Sequence, residues 1–533
     1  MPTAADLIAR RLHAAGARHV FGMPGGEVLT LLDALTRAGL AFTLCRHENS
    51  GAFMAEGAHH ATGAPGVLLA TIGPGVLNAV NAAANALQDQ VPLLILSGRV
   101  DGAEAQRYTH QVVDQAGALA AVTKASVRLE PGAVQVQVDR AVRLALQDPP
   151  GPVHLDLPVT LAGAEEPEAP ALLTPAAAPA APAPGEMLEA ARARIRAARR
   201  PVMLAGVGAL HHGAEAEIAR LCRARAIPLL TTYKAKGILP ESDPLALGGH
   251  GLSPASDELV MPFLAEADLV LLAGYDPVEM RPGWRAPWAP GAAIEVAHIP
   301  PAHGMHSASM AFVGDVGAGL RALFDGAAPR TEWGEAPAQL RAALKARFEG
   351  PASWGPHAAF RALRRALPPA AVVTADSGAH RILLSQMWEA PAPRRLLQSS
   401  GFCTMGCALG LAAGYAAAAP DTPVCAVIGD GGLEMTAGEL ATLRDLGRPA
   451  LVLVLADASL ALIEKKQAAM GLPREGVRMG ETDYPALARA FGGHGAWIDD
   501  EAALEAEARA ALDRDGFTLL AARIEAADYD GAF

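Results

Sequence analysis

The sequence predicts an α/β protein made of three doubly wound parallel-sheet domains, and three observations predict it. Apolar runs of strand length recur along the chain, each followed by a stretch of helical period, which is the pattern of β-α units. The stretch Val424–Gln467 shows one unit whole: the run Val424–Ile428 ends in Gly429-Asp430-Gly431-Gly432, a helical pattern follows, and the run Ala450–Leu455 ends in Ala456-Asp457. Two connections without periodicity, an Ala/Pro/Glu-rich one at 163–185 and a polar, tryptophan-bearing one at 332–355, divide the 533 residues into parts of similar size.

In chain order, residues 3–16 form an amphipathic pattern opened by Thr3, with charges interrupting any apolar core, so a helix is expected and not a signal peptide. In the first domain (1–162) the strands are HVFG, AFTLC, GVLLAT and PLLILSG, separated by helices such as EVLTLLDALTRA and GPGVLNAVNAAANAL. The second domain (186–326) has strands at PVMLAGVG, IPLLTT, DLVLLAG and AAIEVAHI. In the third (356–528) the strands include AVVTAD, VCAVIGD, ALVLVLA and GFTLLAARI. Thr436 and Glu439 have capping-box spacing, which predicts a helix starting at Thr436 with Leu440, Leu443 and Leu446 on its buried face.

Composition excludes several function classes. With 51% hydrophobic and 19% charged residues the chain can bury large cores, and a net charge of −12 is repelled by nucleic acid and by anionic membranes. No apolar run approaches spanning length. The five cysteines (Cys45, Cys222, Cys403, Cys407, Cys425) are scattered and odd in number, which suits a reducing cytoplasm and indicates neither a disulfide framework nor a zinc site. A soluble metabolic protein is the expectation.

The chemistry is concentrated at strand ends. In a parallel sheet the strands before Asp430 and Asp457 finish on one edge, which sets the two carboxylates side by side. Oxygen ligands converging where glycines bare the backbone suit a small hard dication that bridges to phosphate. Gly206 and Gly208, after a strand of the second domain, are a minimal dinucleotide hint.

With this pair the chain resembles the thiamine-diphosphate-dependent enzymes, acetolactate (acetohydroxyacid) synthases among them, whose motif is Gly-Asp-Gly followed one helix and one strand later by Asn-Asn. The resemblance covers nearly the full length and implies a pyrimidine-binding, a central and a diphosphate-binding domain in that order. It implies that Asp430, Asp457 and the carbonyl of Ser459 hold Mg²⁺, and that Gly429, Gly431 and Gly432 lie at the cofactor. The chain departs from the motif in having Ala456-Asp457 in place of the two asparagines, which puts an extra negative charge beside a phosphate.

Other matches follow from the same resemblance. Arg46-His47-Glu48 resembles the family's R-H-E, which implies that Glu48 bonds the pyrimidine N1′ and is the catalytic acid–base, since the chemistry needs a carboxylate at a ring nitrogen in a dry pocket. Phe21-Gly22-Met23-Pro24-Gly25 is similar to F-G-x-P-G, and Gly73-Pro74-Gly75 with Asn78 opens a helix, so Pro24, Gly25, Gly73 and Asn78 are expected at the cofactor. Gln111 resembles a glutamine that acetohydroxyacid synthases place near the reacting carbon; His110 and Lys124 are expected as its pocket neighbours. In the third domain Gly378, Ala379 and His380 are candidate diphosphate donors. Ser400-Gly401-Phe402-Cys403-Thr404-Met405-Gly406 resembles S-G-x-x-T-M-G, with Met405 shaping the cofactor and Cys403 binding the pyrimidine edge.

Two further departures bear on the reaction. The flavin-binding relatives carry an acidic stretch where this chain has Glu295-Val296-Ala297-His298-Ile299-Pro300, so FAD is not expected. Past Asp457 the relatives' glutamine–tryptophan pair is replaced by Leu462, Lys465 and Lys466, which implies a different acceptor pocket. The expected activity is therefore acetolactate-synthase-like decarboxylation and carboligation of 2-oxoacids. Simple 2-oxoacid decarboxylation and acyloin or diketone lyase chemistry remain alternatives, and so does a non-catalytic relative. Because Glu48 and Asp430 lie in different domains, the resemblance implies that the first domain of one subunit meets the third of its partner in a homodimer or homotetramer.

Overall fold

A computed structural model describes residues 1–170 and 178–533, so the middle of the 163–185 connection lies outside the described residues. Three six-stranded sheets follow one another along the chain, and every strand pair in them is parallel. The first holds β1 (His19–Met23), β2 (Ala41–Leu44), β3 (Gly66–Ala70), β4 (Leu93–Arg99), β5 (Ala125–Arg128) and β6 (Pro152–Pro158), in spatial order 2-1-3-4-6-5. The second holds β7 (Pro201–Ala205), β8 (Leu229–Thr231), β9 (Ala246–Gly249), β10 (Leu269–Ala273), β11 (Ala293–Ala297) and β12 (Met310–Val313), in order 12-11-10-7-8-9. The third holds β13 (Val372–Ala375), β14 (Leu396–Gln398), β15 (Val424–Gly429), β16 (Ala450–Ala456), β17 (His494–Ile498) and β18 (Phe517–Arg523), in order 14-13-15-16-18-17.

Each order has a switch point, between β1 and β3, between β7 and β10, and between β13 and β15. At such a switch point successive connections leave toward opposite faces and open a crevice beyond the strands' C-terminal ends. The glycine-rich loops singled out in the sequence all lie at these places: Gly22–Gly25 and Gly73–Gly75 in the first sheet, Gly206 in the second, Gly378 and Gly429–Gly432 in the third.

The strands named from the sequence are all present, and the edge strands β5, β9, β12, β14 and β17, together with the internal strand β6, complete the sheets. The N-terminal helix Ala4–Ala14 is capped by Thr3, whose side chain accepts from the Asp6 amide while Asp6 accepts from Thr3. The run PVMLAGVG divides: β7 ends at Ala205 and a helix, Val207–His211, takes the glycines. The 332–355 connection contains a helix, Ala336–Glu349, and Glu166 at the start of the 163–185 connection is buried with its carboxylate on the Gly132 amide.

One expectation is overturned. The helix after Asp430 does not begin at Thr436: it runs Asp430–Thr436, breaks at Ala437-Gly438, and resumes as Glu439–Leu446. Thr436 donates to the Gly432 carbonyl one turn back, and Glu439 is drawn into a contact with another domain. Leu440 and Leu443 are buried, while Leu446 is half-buried at the edge of the core.

The domains are packed closely. Helix Glu48–Thr62 of the first lies on helix Cys407–Ala418 of the third, and glycines bring the backbones together: a Cβ on Gly414 would stand 1.8 Å from the Met54 carbonyl oxygen, and one on Gly57 would stand 2.2 Å from that of Leu411. Phe53, Met54, Leu409, Leu411 and Ile428 thus share one apolar core. A second core joins the middle and third domains through Phe263, Trp284, Leu363 and Trp388. Among the described residues no helix is long and apolar enough to cross a membrane.

Candidate active site

At the third sheet's switch point, β15 delivers Asp430 as the first residue of a helix, and β16, pairing with β15 in parallel register, delivers Asp457. The two meet as the shared edge requires. Asp430 Oδ2 accepts from the amides of Asp457 (3.0 Å) and Ala458 (2.6 Å), and its Oδ1 accepts from Gly431 (2.8 Å). Asp457 Oδ1 accepts from the Ser459 amide at 2.9 Å, across a turn in which Ala458 takes φ +51°. Among the described residues neither Asp430 nor Asp457 has an ion-pair partner. Burial and then the Asp430 charge push the Asp457 carboxyl up to about 8, and burial raises Asp430 as well. The buried Asp430 and the half-buried Asp457, with Lys465 as a nearby cation, offer oxygen ligands of the kind that suits a dication.

Both acids line an open cavity of about 1100 Å³, walled further by Trp354, Lys465, Tyr484 and Trp497. Beside it lie the glycines of the third sheet's loops. Gly378 and Gly429 flank the His380 imidazole, whose Nε2 is buried and unpartnered, and burial pushes His380 down to about 3, leaving it neutral. Ala379 begins the helix Ala379–Met387, directly after Gly378. A Cβ on Gly431 would stand 3.5 Å from Met405 Cε, which places Met405 against the turn; Gly432 has no room for a side chain, because a Cβ would stand 2.0 Å from Asp376 Oδ2. An orphaned imidazole nitrogen, bared glycines and paired acids suit a diphosphate held through Mg²⁺. Cys403, the one exposed cysteine, has φ +55° and its sulfur accepts from Arg381 at 3.2 Å.

The first sheet builds a second cluster. Glu48, the first residue of helix Glu48–Thr62, is 4% exposed. Asn78 Nδ2 donates to Glu48 Oε2 at 2.9 Å, and a Cβ on Gly75 would stand 3.0 Å from Glu48 Oε1. Thr71 links this group to the Pro24-Gly25 turn, since Thr71 Oγ1 donates to Glu27 at 2.7 Å and leaves no space for a side chain at Gly25. Gly73, at φ +59°, packs on the Gln111 carbonyl, and Gln111 itself is exposed at φ +58° in a loop with His110.

Two expected pocket residues lie elsewhere. Lys124 precedes β5 and so stands at the strand-start edge of the sheet, opposite Glu48; its Nζ donates to the carbonyls of Gln147 and Pro149. Lys466 is exposed outside the cavity, whereas its neighbour Lys465 lines it and pairs with Asp530; Leu462 packs into the core shared by the middle and third domains.

Three positioning residues escaped the sequence reading. Asp376, fully buried, accepts from the amides of Gly406 (2.9 Å) and Ala408 (3.3 Å) and so fixes the Met405 loop. Gln115 accepts from the Gly73 amide at 3.0 Å and donates to Asp156 and the Gly98 carbonyl. Glu439 accepts from the amides of Arg46 and His47, directly before Glu48. For Asp376 and Gln115 the local signal was an acid or amide at a strand end or loop; for Glu439 it was the capping-box spacing, which pointed to a different partner.

In the middle domain Gly206 and Gly208 are explained by packing: a Cβ on the first would stand 2.6 Å from the Gly274 carbonyl oxygen, and one on the second 2.3 Å from His298 Nδ1.

Family models match in three blocks: the N-terminal thiamine pyrophosphate binding domain over residues 2–118, the central domain of thiamine pyrophosphate enzymes over 188–323, and their C-terminal binding domain over 376–522. The chain is 32% identical to the acetolactate synthase isozyme 1 large subunit of Escherichia coli (strain K12), covering 98% of this chain and 94% of that protein. The chain belongs to the thiamine pyrophosphate enzyme family. It is also 28% identical to the acetolactate synthase of Bacillus subtilis (strain 168), over 98% of this chain and 93% of that one. A protein of Pseudomonas aeruginosa named "Probable 2-ketoarginine decarboxylase AruI" is 32% identical, over 98% and 94%. The protein is thus a thiamine-diphosphate-dependent enzyme of the acetolactate-synthase-like carboligase and decarboxylase class.

Proposed function

We propose that the protein decarboxylates a 2-oxoacid and joins the remaining acyl unit to a second carbonyl compound, using Mg²⁺ and a homodimeric or homotetrameric assembly. The observation that carries this reading is the junction of Asp430 and Asp457 at the switch point, with the His380 imidazole beside it, in a chain that also buries Glu48 against Asn78.

Thiamine diphosphate, when bound, supplies a nucleophilic carbon and an electron sink for the loss of CO₂. The protein's part is to hold and to protonate. Asp430, Asp457 and the Ser459 carbonyl would hold Mg²⁺, and the Gly378–Ala379 backbone and His380 would hold the diphosphate. Asp430 has a second task, because its hydrogen bonds to the Asp457 and Ala458 amides already shape the turn that presents those ligands. Glu48 would hold and pass the proton at the pyrimidine nitrogen; its burial keeps water away, and the Asn78 amide orients its carboxylate. Met405 and the Cys403 carbonyl would support the cofactor's pyrimidine side.

Two observations support a shared site. Although the first and third domains of one chain touch, Glu48 is absent from the walls of the cavity that holds Asp430 and Asp457. The loops near Gln111 and Cys403 expose Tyr108, Val112, Val113 and Phe402, each at 40–47%, an apolar face that a second copy would cover.

Incubating the protein with thiamine diphosphate, Mg²⁺ and a panel of 2-oxoacids, with and without an aldehyde or second 2-oxoacid, tests the reading by mass spectrometry. Ligation products are expected. Release of CO₂ with aldehyde as sole product would favour simple decarboxylation, the reading to which the Pseudomonas relative points; no CO₂ from any 2-oxoacid would reject both.

A further inference from the structure

β11 is buried along its whole length, yet its third residue is Glu295, whose side chain is only 4% exposed. An acid there needs a partner, because an uncompensated buried carboxylate is costly. The ion pair it has is with His306 Nε2, at 3.5 Å. His306 is itself buried, its side chain 2% exposed, and neither ring nitrogen has a hydrogen bond. His303 lies beside it, ring centroids 4.4 Å apart, and its Nε2 is likewise buried without a partner. Three buried imidazole nitrogens without a hydrogen bond thus lie near one buried carboxylate, whereas most buried polar atoms are hydrogen-bonded.

We infer that Glu295, His303 and His306 form a second metal site, in the central domain, which takes a zinc-type divalent transition ion. One ligand atom from each lies within 4.8 Å of the others. Zinc bound at about 2.0–2.1 Å in tetrahedral geometry sets its ligands about 3.3 Å apart, so closure needs side-chain shifts on the order of 1 Å. Two imidazoles and one carboxylate select a borderline ion over Mg²⁺, which prefers oxygen. Coordination through His303 Nε2 moves the ring proton to Nδ1 and gives up the long 3.3 Å contact from the Met305 amide.

The Tyr275 and Trp288 rings pack around His306, each 5.2 Å from it, and shield that side of the site, while His303 is half-exposed, which leaves room for a water as the fourth ligand of the ion. The two histidines lie on the connection between β11 and β12, while Glu295 is anchored in the sheet by pairing between β10 and β12. The ion would therefore pin this connection to the sheet.

The test uses the full-length protein, stripped with a chelator and then held in excess Mg²⁺ and thiamine diphosphate so that the Asp430 site is filled. Zn²⁺ is titrated by calorimetry, its stoichiometry is read by elemental analysis, and Co²⁺ replaces it for visible spectroscopy. One Zn²⁺ per chain and Co²⁺ bands of a nitrogen–oxygen site are expected for the wild type, and both should be lost in His306→Ala. His303→Ala, at a half-exposed residue, keeps the test valid if His306→Ala fails to fold. A wild type that binds no Zn²⁺, or a His303→Ala protein with unaltered stoichiometry, overturns the inference; so does Zn²⁺ that is lost in Asp430→Asn and retained in His303→Ala.

Discussion

Asp457→Asn is the most informative single change, because it removes the one charge by which this chain departs from its family's Asn-Asn. Burial and the neighbouring Asp430 raise the Asp457 carboxyl to about 8, well above the ordinary value near 4. A raised acid is a stability cost: below pH 4 the group is protonated in folded and unfolded chains alike, and as pH rises toward 8 the unfolded chain gains a solvated carboxylate that the folded one does not. Between pH 4 and pH 7 that is roughly three units at about 1.4 kcal/mol each, a ceiling of about 4 kcal/mol. The cavity is open to solvent, which screens the charges, so roughly half of that is expected.

The metal-free Asp457→Asn protein should therefore be more stable than wild type at pH 7–8, by about 2 kcal/mol, and equal to it at pH 4. The Ser459 amide keeps an oxygen acceptor in the variant, so the turn should persist. Saturating Mg²⁺ should reverse the order, because only the wild type gains a second carboxylate ligand. Denaturant unfolding in EDTA and in Mg²⁺ at several pH values, paired with Mg²⁺ titration, reads both effects. Equal stability in EDTA across pH 4–8, together with unchanged Mg²⁺ affinity, would place Asp457 outside the metal site.

Glu48→Gln should fold and bind thiamine diphosphate, since Asn78 can still donate to the amide oxygen, yet lose about a hundredfold or more in kcat; near-normal turnover would remove Glu48 from the chemistry. Lys124→Ala should lower thermal stability, by freeing the Gln147 and Pro149 carbonyls, and leave KM for the 2-oxoacid unaltered; a rise in KM would return Lys124 to the pocket. Purified protein should lack FAD, because the acidic stretch of the flavin-binding relatives is replaced at Glu295–Pro300; a stoichiometric flavin spectrum on denaturation would overturn this. Mixing Glu48→Gln with Asp430→Ala under subunit exchange should restore activity, because one site in each mixed dimer keeps both residues; failure despite proven exchange would count against a shared site.

What was legible in the sequence was what strand ends dictate. In a parallel sheet, chain direction alone decides which edge a loop occupies, so Asp430, Asp457, Gly378 and Glu48 could be placed at crevices before any contact was known. The same rule puts Lys124 on the opposite edge, because it precedes β5 instead of following a strand. Lys465 and Lys466 show the limit of motif position within a helix, where adjacent residues point in directions about 100° apart and only one can face the cavity. Six strands lay outside that reading: β5, β9, β12, β14 and β17 are short edge strands with one side unpaired, and in the internal β6 the polar His154 and Asp156 interrupt the apolar run.

Glu439 shows what spacing alone cannot decide. Thr436-x-x-Glu439 satisfies the capping-box pattern, and a free amide at the helix start would have satisfied the glutamate. The donors it meets instead are the backbone amides of Arg46 and His47, separated from it by 393 and 392 residues. Those amides belong to the turn between β2 and the helix that begins with Glu48, so an acid of the third domain fixes the entry of Glu48, the proposed acid–base, in the first domain of the same chain. The tight contact of helices Glu48–Thr62 and Cys407–Ala418 has the same effect over a larger area. Each chain thus holds its own Glu48 through interdomain contacts while leaving it outside the cavity of Asp430 and Asp457, which is the arrangement the proposed shared site requires.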